Sequence, residues 1–183
     1  INIPTTGSGY DYTVDWGDGS AAEVGLTGDA PHTYTIANTY TVKVSGDFTR
    51  IYFNSNIDKD AILTVEQWGN IAWTNMERAF RGCSNLTINA TDAPDLSGVT
   101  NLGSMFENAT NVNGDLSGWN VSTITNMSFM FDDATNFNGD VSTWNVSNVE
   151  DMSVMFRDAE AFNQDISNWD VGKVRYIDNM FRE

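Results

Sequence analysis

The sequence has few of the residues on which most active sites and metal sites depend. Its 183 residues include one histidine, His32, and one cysteine, Cys83. A disulfide within the chain is therefore excluded, and so are metal sites that need two histidines. A catalytic cysteine would need a histidine base, and the single histidine lies in a different segment. These scarcities favour a protein that is not an enzyme, with Cys83 and His32 in structural roles.

Positive charge is also scarce. Nine Lys and Arg stand against 25 Asp and Glu, which gives a formal net charge of −16. Such a charge repels the phosphate backbone and argues against a nucleic-acid partner. No apolar run approaches the roughly 18 residues of a membrane helix, so we expect no direct membrane insertion of this chain. The acid excess either keeps the protein in solution or supplies carboxylates for calcium.

What the sequence does contain is an internal repeat. Aromatic residues recur every 25 positions, as Trp119, Trp144 and Trp169 and as Phe106, Phe131, Phe156 and Phe181. A step of 26 extends the phenylalanine series back to Phe80. Pro94 takes the tryptophan position 25 residues before Trp119, and Trp68 takes it 26 residues earlier. Residues 56–183 therefore hold about five repeats, of which the last is incomplete, and we expect the chain to be a piece of a longer one. A single repeat cannot bury its aromatic rings, so the repeats should stack.

Each repeat divides into two halves with different apolar spacing. The first half matches the L-x-x-L-x-L strand pattern of leucine-rich repeats, and the second has the three- and four-residue steps of an amphipathic helix. Examples are Val141, Trp144 and Val146 for the first half and Met127, Met130, Phe131 and Ala134 for the second. This pattern predicts an α/β solenoid, a right-handed stack of short parallel strands and short helices.

Residues 1–55 contain no copy of the repeat. Apolar and polar residues alternate over 10–16 and 40–44, as in half-buried strands, and Gly-Asp-Gly-Ser at 17–20 is a strong turn signal. We expect a small antiparallel β unit that caps the exposed core of the first repeat.

Two stretches of sequence resemble known families. Val-Asp-Trp-Gly-Asp-Gly-Ser at 14–20, His-Thr-Tyr at 32–34 and Tyr-Thr-Val-Lys-Val at 40–44 resemble the signature of PKD-type immunoglobulin-like domains. Phe-Asn-Gln-Asp-Ile-Ser-Asn-Trp-Asp-Val at 162–171 resembles the repeat of BspA-like leucine-rich-repeat surface proteins of bacteria. Departures from that repeat include Pro94 and Val112. The resemblance implies an extracellular or cell-surface location and a role in adhesion.

The polar positions of the predicted strands suggest a binding surface. In L-x-x-L-x-L strands the x residues face solvent, which here gives a polar stripe without exposed aromatic rings. We expect this strand face to bind a protein or glycoprotein on another cell or matrix, unless it is only solvated surface. The candidate binding residues are Ser117, Asn120, Ser142, Thr143, Asn145, Asn168 and Asp170.

A carboxylate also recurs immediately before each predicted strand, at Asp115, Asp140 and Asp165. A catalytic pair is a single constellation, whereas a residue repeated in every unit is usually a turn element, so we expect each aspartate to accept hydrogen bonds from the adjacent backbone. Calcium binding is the alternative, and no other cofactor is expected. The sequence thus predicts a non-catalytic interaction module, or else a spacer or targeting module for a separate secreted catalytic domain.

Overall fold

A computed structural model describes all 183 residues. The chain begins with five strands that form two small antiparallel sheets. Three strands pair in the order β3-β2-β5, and β1 pairs with β4. The strands are β1 (Asn2–Ile3), β2 (Asp11–Asp15), β3 (Glu23–Leu26), β4 (Ala30–Pro31) and β5 (Lys43–Asp47).

The alternation read from the sequence matches this β unit. In β2, Tyr12 and Val14 are buried, and the Tyr12 ring lies 4.8 Å from the ring of Phe48. The antiparallel β prediction for this region is confirmed. The strand predicted over 40–44 begins three residues later, at Lys43, and pairs in register with β2.

From residue 49 onwards the chain forms stacked coils that have almost no regular secondary structure. The regular elements are a 3₁₀ helix (Lys59–Ala61) and two short strands, β6 (Thr64–Val65) and β7 (Thr87–Ile88), which pair in parallel. Isolated parallel bridges join later coils, as between Asn126 and Asp151. The predicted α/β solenoid with short helices is therefore wrong. None of the helices is long and apolar enough to span a membrane.

Successive tight turns, and not helices, produce the three-residue apolar spacing. The N–H of Met130 donates to the carbonyl of Met127, and the N–H of Ala134 donates to the carbonyl of Phe131, at 3.2 and 3.1 Å. The predicted strand segment is also a turn, because the N–H of Trp144 donates to the carbonyl of Val141. A buried residue at each end of a four-residue turn has the same sequence spacing as one face of a helix, so the pattern alone could not separate them.

Two backbone features keep these segments out of a helix. The third residue of two successive turns in a coil has a positive φ, for example 58° at Phe129 and 56° at Asp133. Alternate amides then donate to the next coil, such as Phe129 to Ser153 and Phe131 to Met155, each at 2.9 Å. Positive φ is incompatible with a right-handed helix, and an amide directed along the stack cannot bond four residues back.

The apolar residues of successive coils form continuous ladders in the core. The phenylalanine rings stack with centroid separations of 5.8, 5.7, 5.5 and 5.6 Å from Phe80 through Phe106, Phe131 and Phe156 to Phe181. Phe53 adds a further ring at 6.2 Å from Phe80, although the sequence pattern did not include it. Each coil is thus buried by its neighbours, as expected for a repeat array.

Candidate functional site

The seven candidate binding residues lie on one corner of the stack, in and beside turns. Thr143 and Asn168 are exposed at the same position of successive turns, those between Val141 and Trp144 and between Ile166 and Trp169. Ser117 and Ser142 precede that position and are half-buried. The structure thus brings the candidates together in register, but on a face made of turns where strands had been predicted.

Three of the seven also help to form the backbone. The side-chain oxygens of Asn120, Asn145 and Asp170 accept hydrogen bonds from the N–H two residues later, at 3.2, 3.2 and 3.0 Å. Asn168 makes no such bond, and the Thr143 hydroxyl donates to the carbonyl of Ser117 in the preceding coil at 2.8 Å. Thr143 and Asn168 form one exposed column along the stack, and this column is the part of the face that is most accessible to a partner.

The three recurring aspartates close the turns that follow them. Asp115, Asp140 and Asp165 each accept a hydrogen bond from the N–H of the serine two residues later at 2.9 Å. The hydrogen bonds with Ser117 and Ser167 lower the pKa of Asp115 and Asp165 below the ordinary value. The expected turn-forming role is confirmed.

An open groove of about 530 Å³ runs along this corner. Its walls include two of the calcium candidates, Asp115 and Asp140, together with the amides of Asn113 and Asn138. Its floor is backbone, since a Cβ on Gly139 would collide with the carbonyl oxygen of Gly114. The groove therefore depends on glycine at that position.

A second pocket, of about 330 Å³, lies beside this groove. It is lined by residues 88–93 and by Asp115, Ser117, Gly118 and Trp119. Trp119 is only 5% exposed, so it forms the inner end of the pocket and offers no exposed ring surface. Sequence reasoning noted Pro94 at a tryptophan position but did not predict the pocket.

Three carboxylates that lie close to one another form a cluster away from the candidate residues. Oxygens of Asp132, Asp133 and Asp158 come within 4.8 Å of one another. Arg157 supplies the positive charge there, donating to the two carboxylate oxygens of Asp132 at 2.7 and 2.6 Å. Burial raises the pKa of Asp132, and the hydrogen bonds from Arg157 act in the opposite direction. Asp132 is 1% exposed and Arg157 is partly exposed, so the pair ties neighbouring coils through a buried carboxylate.

The single cysteine and the single histidine both occupy packed positions. Cys83 is fully buried, and burial raises the pKa of its thiol to about 12. The ring of His32 stacks on Trp16 at 4.5 Å and contacts the Asp18 carboxylate at 2.9 Å. Hydrogen bonds from Ser20, followed by that from His32, lower the pKa of Asp18 to about 2. Both residues thus serve the packing of their own segments.

Comparison with known proteins identifies the coil stack. Residues 74–183, more than half of the chain, match the family described as "Mycoplasma protein of unknown function, DUF285". The chain belongs to the DUF285 family. None of the curated proteins and none of the solved structures matches it.

The DUF285 match covers the coils that carry the candidate surface, the groove and the Asp132–Arg157 pair. It leaves out the β unit and the first residues of the stack, up to position 73. The matched residues therefore include the turn-forming aspartates, the exposed turn residues Thr143 and Asn168, and the phenylalanine ladder from Phe80 onwards.

Proposed function

We propose that this protein is a non-catalytic interaction module of a bacterial cell surface, and that it binds a protein or glycoprotein through its repeated turn face. The observation that carries the proposal is the exposed column of turn residues at Thr143 and Asn168. These side chains repeat at one position of successive coils and stand on a backbone held by hydrogen bonds along the stack. A rigid array of polar side chains reduces the entropy lost on binding.

The chemistry of the remaining residues supports a module without catalytic activity. The buried Cys83 thiol has a raised pKa and is a poor nucleophile. Each recurring aspartate uses one carboxylate oxygen to close its turn, and the cluster of Asp132, Asp133 and Asp158 is paired with Arg157. The resemblance to BspA-like surface proteins and PKD-type domains supports an extracellular location.

The test is a binding screen of the purified chain against arrays of host surface proteins and glycoproteins. Thr143→Arg combined with Asn168→Arg places two bulky cations on the turn face without removing a backbone acceptor. Asn136→Arg combined with Ala161→Arg is the matched control, because those two exposed residues repeat at another position of the same coils. We expect at least a tenfold loss of affinity in the first variant and unchanged affinity in the second.

Two outcomes would contradict the proposal. A partner that binds both double variants equally well uses another surface. A correctly folded chain that binds nothing on the arrays is better explained as a spacer or targeting module for a separate catalytic domain.

A further inference from the structure

The second pocket lies beside a coil whose residues depart from the repeat of its neighbours. At the core positions filled by Leu116 and Trp119, the preceding coil has Thr91 and Pro94. Trp119 therefore has no tryptophan stacked on that side, although it stacks on Trp144 at 6.4 Å on the other side. Trp68 reaches across the gap and meets Trp119 edge-on at 5.4 Å. The pocket of about 330 Å³ lies beside this irregular coil, and Thr91 lines it.

The same break leaves the Trp119 indole N–H without an acceptor in the protein. In the later coils, the N–H of Trp144 donates to the carbonyl of Leu116 and that of Trp169 to the carbonyl of Val141, at 2.9 and 3.1 Å. The equivalent carbonyl for Trp119 belongs to Thr91, which lines the pocket, and no such bond forms. This N–H is not among the buried unpaired atoms of the protein, so water reaches it at the pocket, where a bound oxygen atom could accept from it instead.

The lining offers acceptors, hydroxyls and apolar surface together. Asp115 uses one carboxylate oxygen for the Ser117 N–H and has a second oxygen available. The hydroxyls of Thr91 and Ser117 can donate or accept. Ile88, Ala90 and Ala93 supply the apolar part of the wall.

This combination selects a neutral polyhydroxyl ligand. Asp92 and Asp115 repel an anion, and a cation would bind the carboxylates but could not accept the Trp119 N–H. A sugar hydroxyl can donate to Asp115 while another sugar oxygen accepts from Trp119, and the C–H face of the ring can contact the alanines. The volume lies at the lower end of the range for small-molecule sites, about 300–1,000 Å³, and suits one sugar ring.

We propose that this pocket binds a single neutral sugar residue of a glycan. The inference rests on the proposed interaction function and names the chemical group that a glycoprotein partner would insert. The sugar enters beside the turn face, because Asp115 and Ser117 belong to both the pocket and that face.

The experiment titrates the full chain with the methyl glycosides of glucose, galactose, mannose and N-acetylglucosamine. NMR follows the indole N–H signal of each tryptophan. We expect at least one glycoside to shift the Trp119 signal saturably and to leave Trp144 and Trp169 unmoved. Trp119→Phe keeps a ring in the core and removes the donor, and should weaken binding at least tenfold. Trp144→Phe is the matched control and should bind as the unchanged chain does.

A second variant fills the pocket while preserving the fold. Thr91→Leu combined with Ala93→Leu adds side-chain volume at two residues that line the pocket. It should abolish sugar binding in a chain whose circular dichroism is unchanged. Sugar binding retained by this variant, or by Trp119→Phe, would overturn the proposal, as would no saturable Trp119 shift with any of the glycosides.

Two further outcomes separate this proposal from its alternatives. A Trp119 shift caused equally by calcium or methylammonium ions would show a cation site and overturn it. The Thr143→Arg and Asn168→Arg variant should still bind the monosaccharide, because neither residue lines the pocket. A variant that loses its protein partners but still binds the sugar would leave the sugar-site proposal standing. A chain that binds protein partners through the turn face but no sugar would reject only the sugar-site proposal.

Discussion

The β unit and the coil stack satisfy their backbones in different ways. In the β unit, β2 bonds in register to β5 over five residue pairs, and Tyr12 and Val14 alternate into a local core. In the stack, turns satisfy some amides within a coil, and the amides between them bond to the next coil. Strand pairing tolerates varied sequence, whereas the stack needs similar turns and mostly similar buried side chains in successive coils. This requirement explains why the repeat is visible in the sequence.

The interior of the aromatic ladder should be the most sensitive place in the stack. Phe131 is fully buried and stacks on Phe106, Phe137 and Phe156, with centroids 5.7, 3.8 and 5.5 Å away. Phe131→Ala should lower the free energy of unfolding by about 3–5 kcal/mol, through lost burial and a cavity that neighbouring coils cannot fill. Urea unfolding monitored by tryptophan fluorescence measures the loss.

Phe181→Ala is the control for that substitution, because Phe181 occupies the same ladder but is 55% exposed. Phe181→Ala should lower the free energy of unfolding by well under half as much as Phe131→Ala. Equal losses at the two positions would show that the stacked rings do not share burial as the structure indicates.

Breaking the buried ion pair should have the next largest effect. Arg157→Ala leaves the Asp132 carboxylate, which is 1% exposed, without its two charged donors. Loss of one partner of a buried pair costs about 3–5 kcal/mol, and the partial exposure of Arg157 reduces the expected loss of unfolding free energy to about 2 kcal/mol. Thermal and urea unfolding give the value.

Arg175→Ala provides the comparison, since Arg175 and Glu150 are both exposed and 3.8 Å apart. An exposed pair contributes about 0–1 kcal/mol. A loss at Arg157 no larger than at Arg175 would mean that water reaches Asp132 and that the pair does not tie the coils together.

A smaller effect of opposite sign is expected where a turn strains an ordinary residue. Ser104 has a φ of 56°, which glycine adopts without cost. Ser104→Gly should stabilise the chain by up to about 1 kcal/mol, because a side chain in the left-handed region costs about 1–2 kcal/mol and glycine loses part of this gain through entropy. Differential scanning calorimetry should show a higher Tm.

Ser117→Gly is the matched substitution at a turn position without positive φ. It should lower the Tm, because glycine there adds conformational freedom to the unfolded chain and removes the hydroxyl that hydrogen-bonds Asp115. A fall in Tm for both variants would argue against the positive φ at Ser104.

The smallest expected effect on stability is the pH-dependent contribution of Asp115. The folded pKa of Asp115 is lowered by its hydrogen bonds with Ser117. Its contribution to stability is therefore complete above the ordinary value of 3.8 and is lost as pH falls through the lowered folded pKa. Asp115→Ala should cost about 0.5 kcal/mol at pH 7 because an exposed hydrogen bond is lost, and the difference from the unchanged chain should shrink below pH 3.8.

Asp115→Asn separates the hydrogen bond from the charge. Its amide oxygen can still accept from the Ser117 N–H, so it should retain most of the stability at pH 7 without the acid dependence. Unfolding curves between pH 2 and pH 7 test this; a pH dependence identical to that of the unchanged chain would show that Asp115 does not titrate with folding.

The sequence by itself determined the repeat, its aromatic ladders, the turn-forming aspartates and the β unit, because identical residues at a fixed period must meet in neighbouring coils. It could not determine the backbone within a coil. Met127, Met130 and Ala134 have the spacing of a helix. Only the backbone hydrogen bonds between coils and the positive φ at Phe129 show that this segment forms turns.

The pocket, too, could not be predicted from the sequence, because it depends on tertiary packing. Pro94 marked a departure from the repeat in the sequence, but only the structure shows that Trp68 meets Trp119 there and that residues 88–93 and Trp119 line a pocket. Likewise, nothing in the sequence pairs Asp132 with Arg157 until the coils stack in register. A repeat fixes which positions meet, whereas packing decides what an irregular position leaves open.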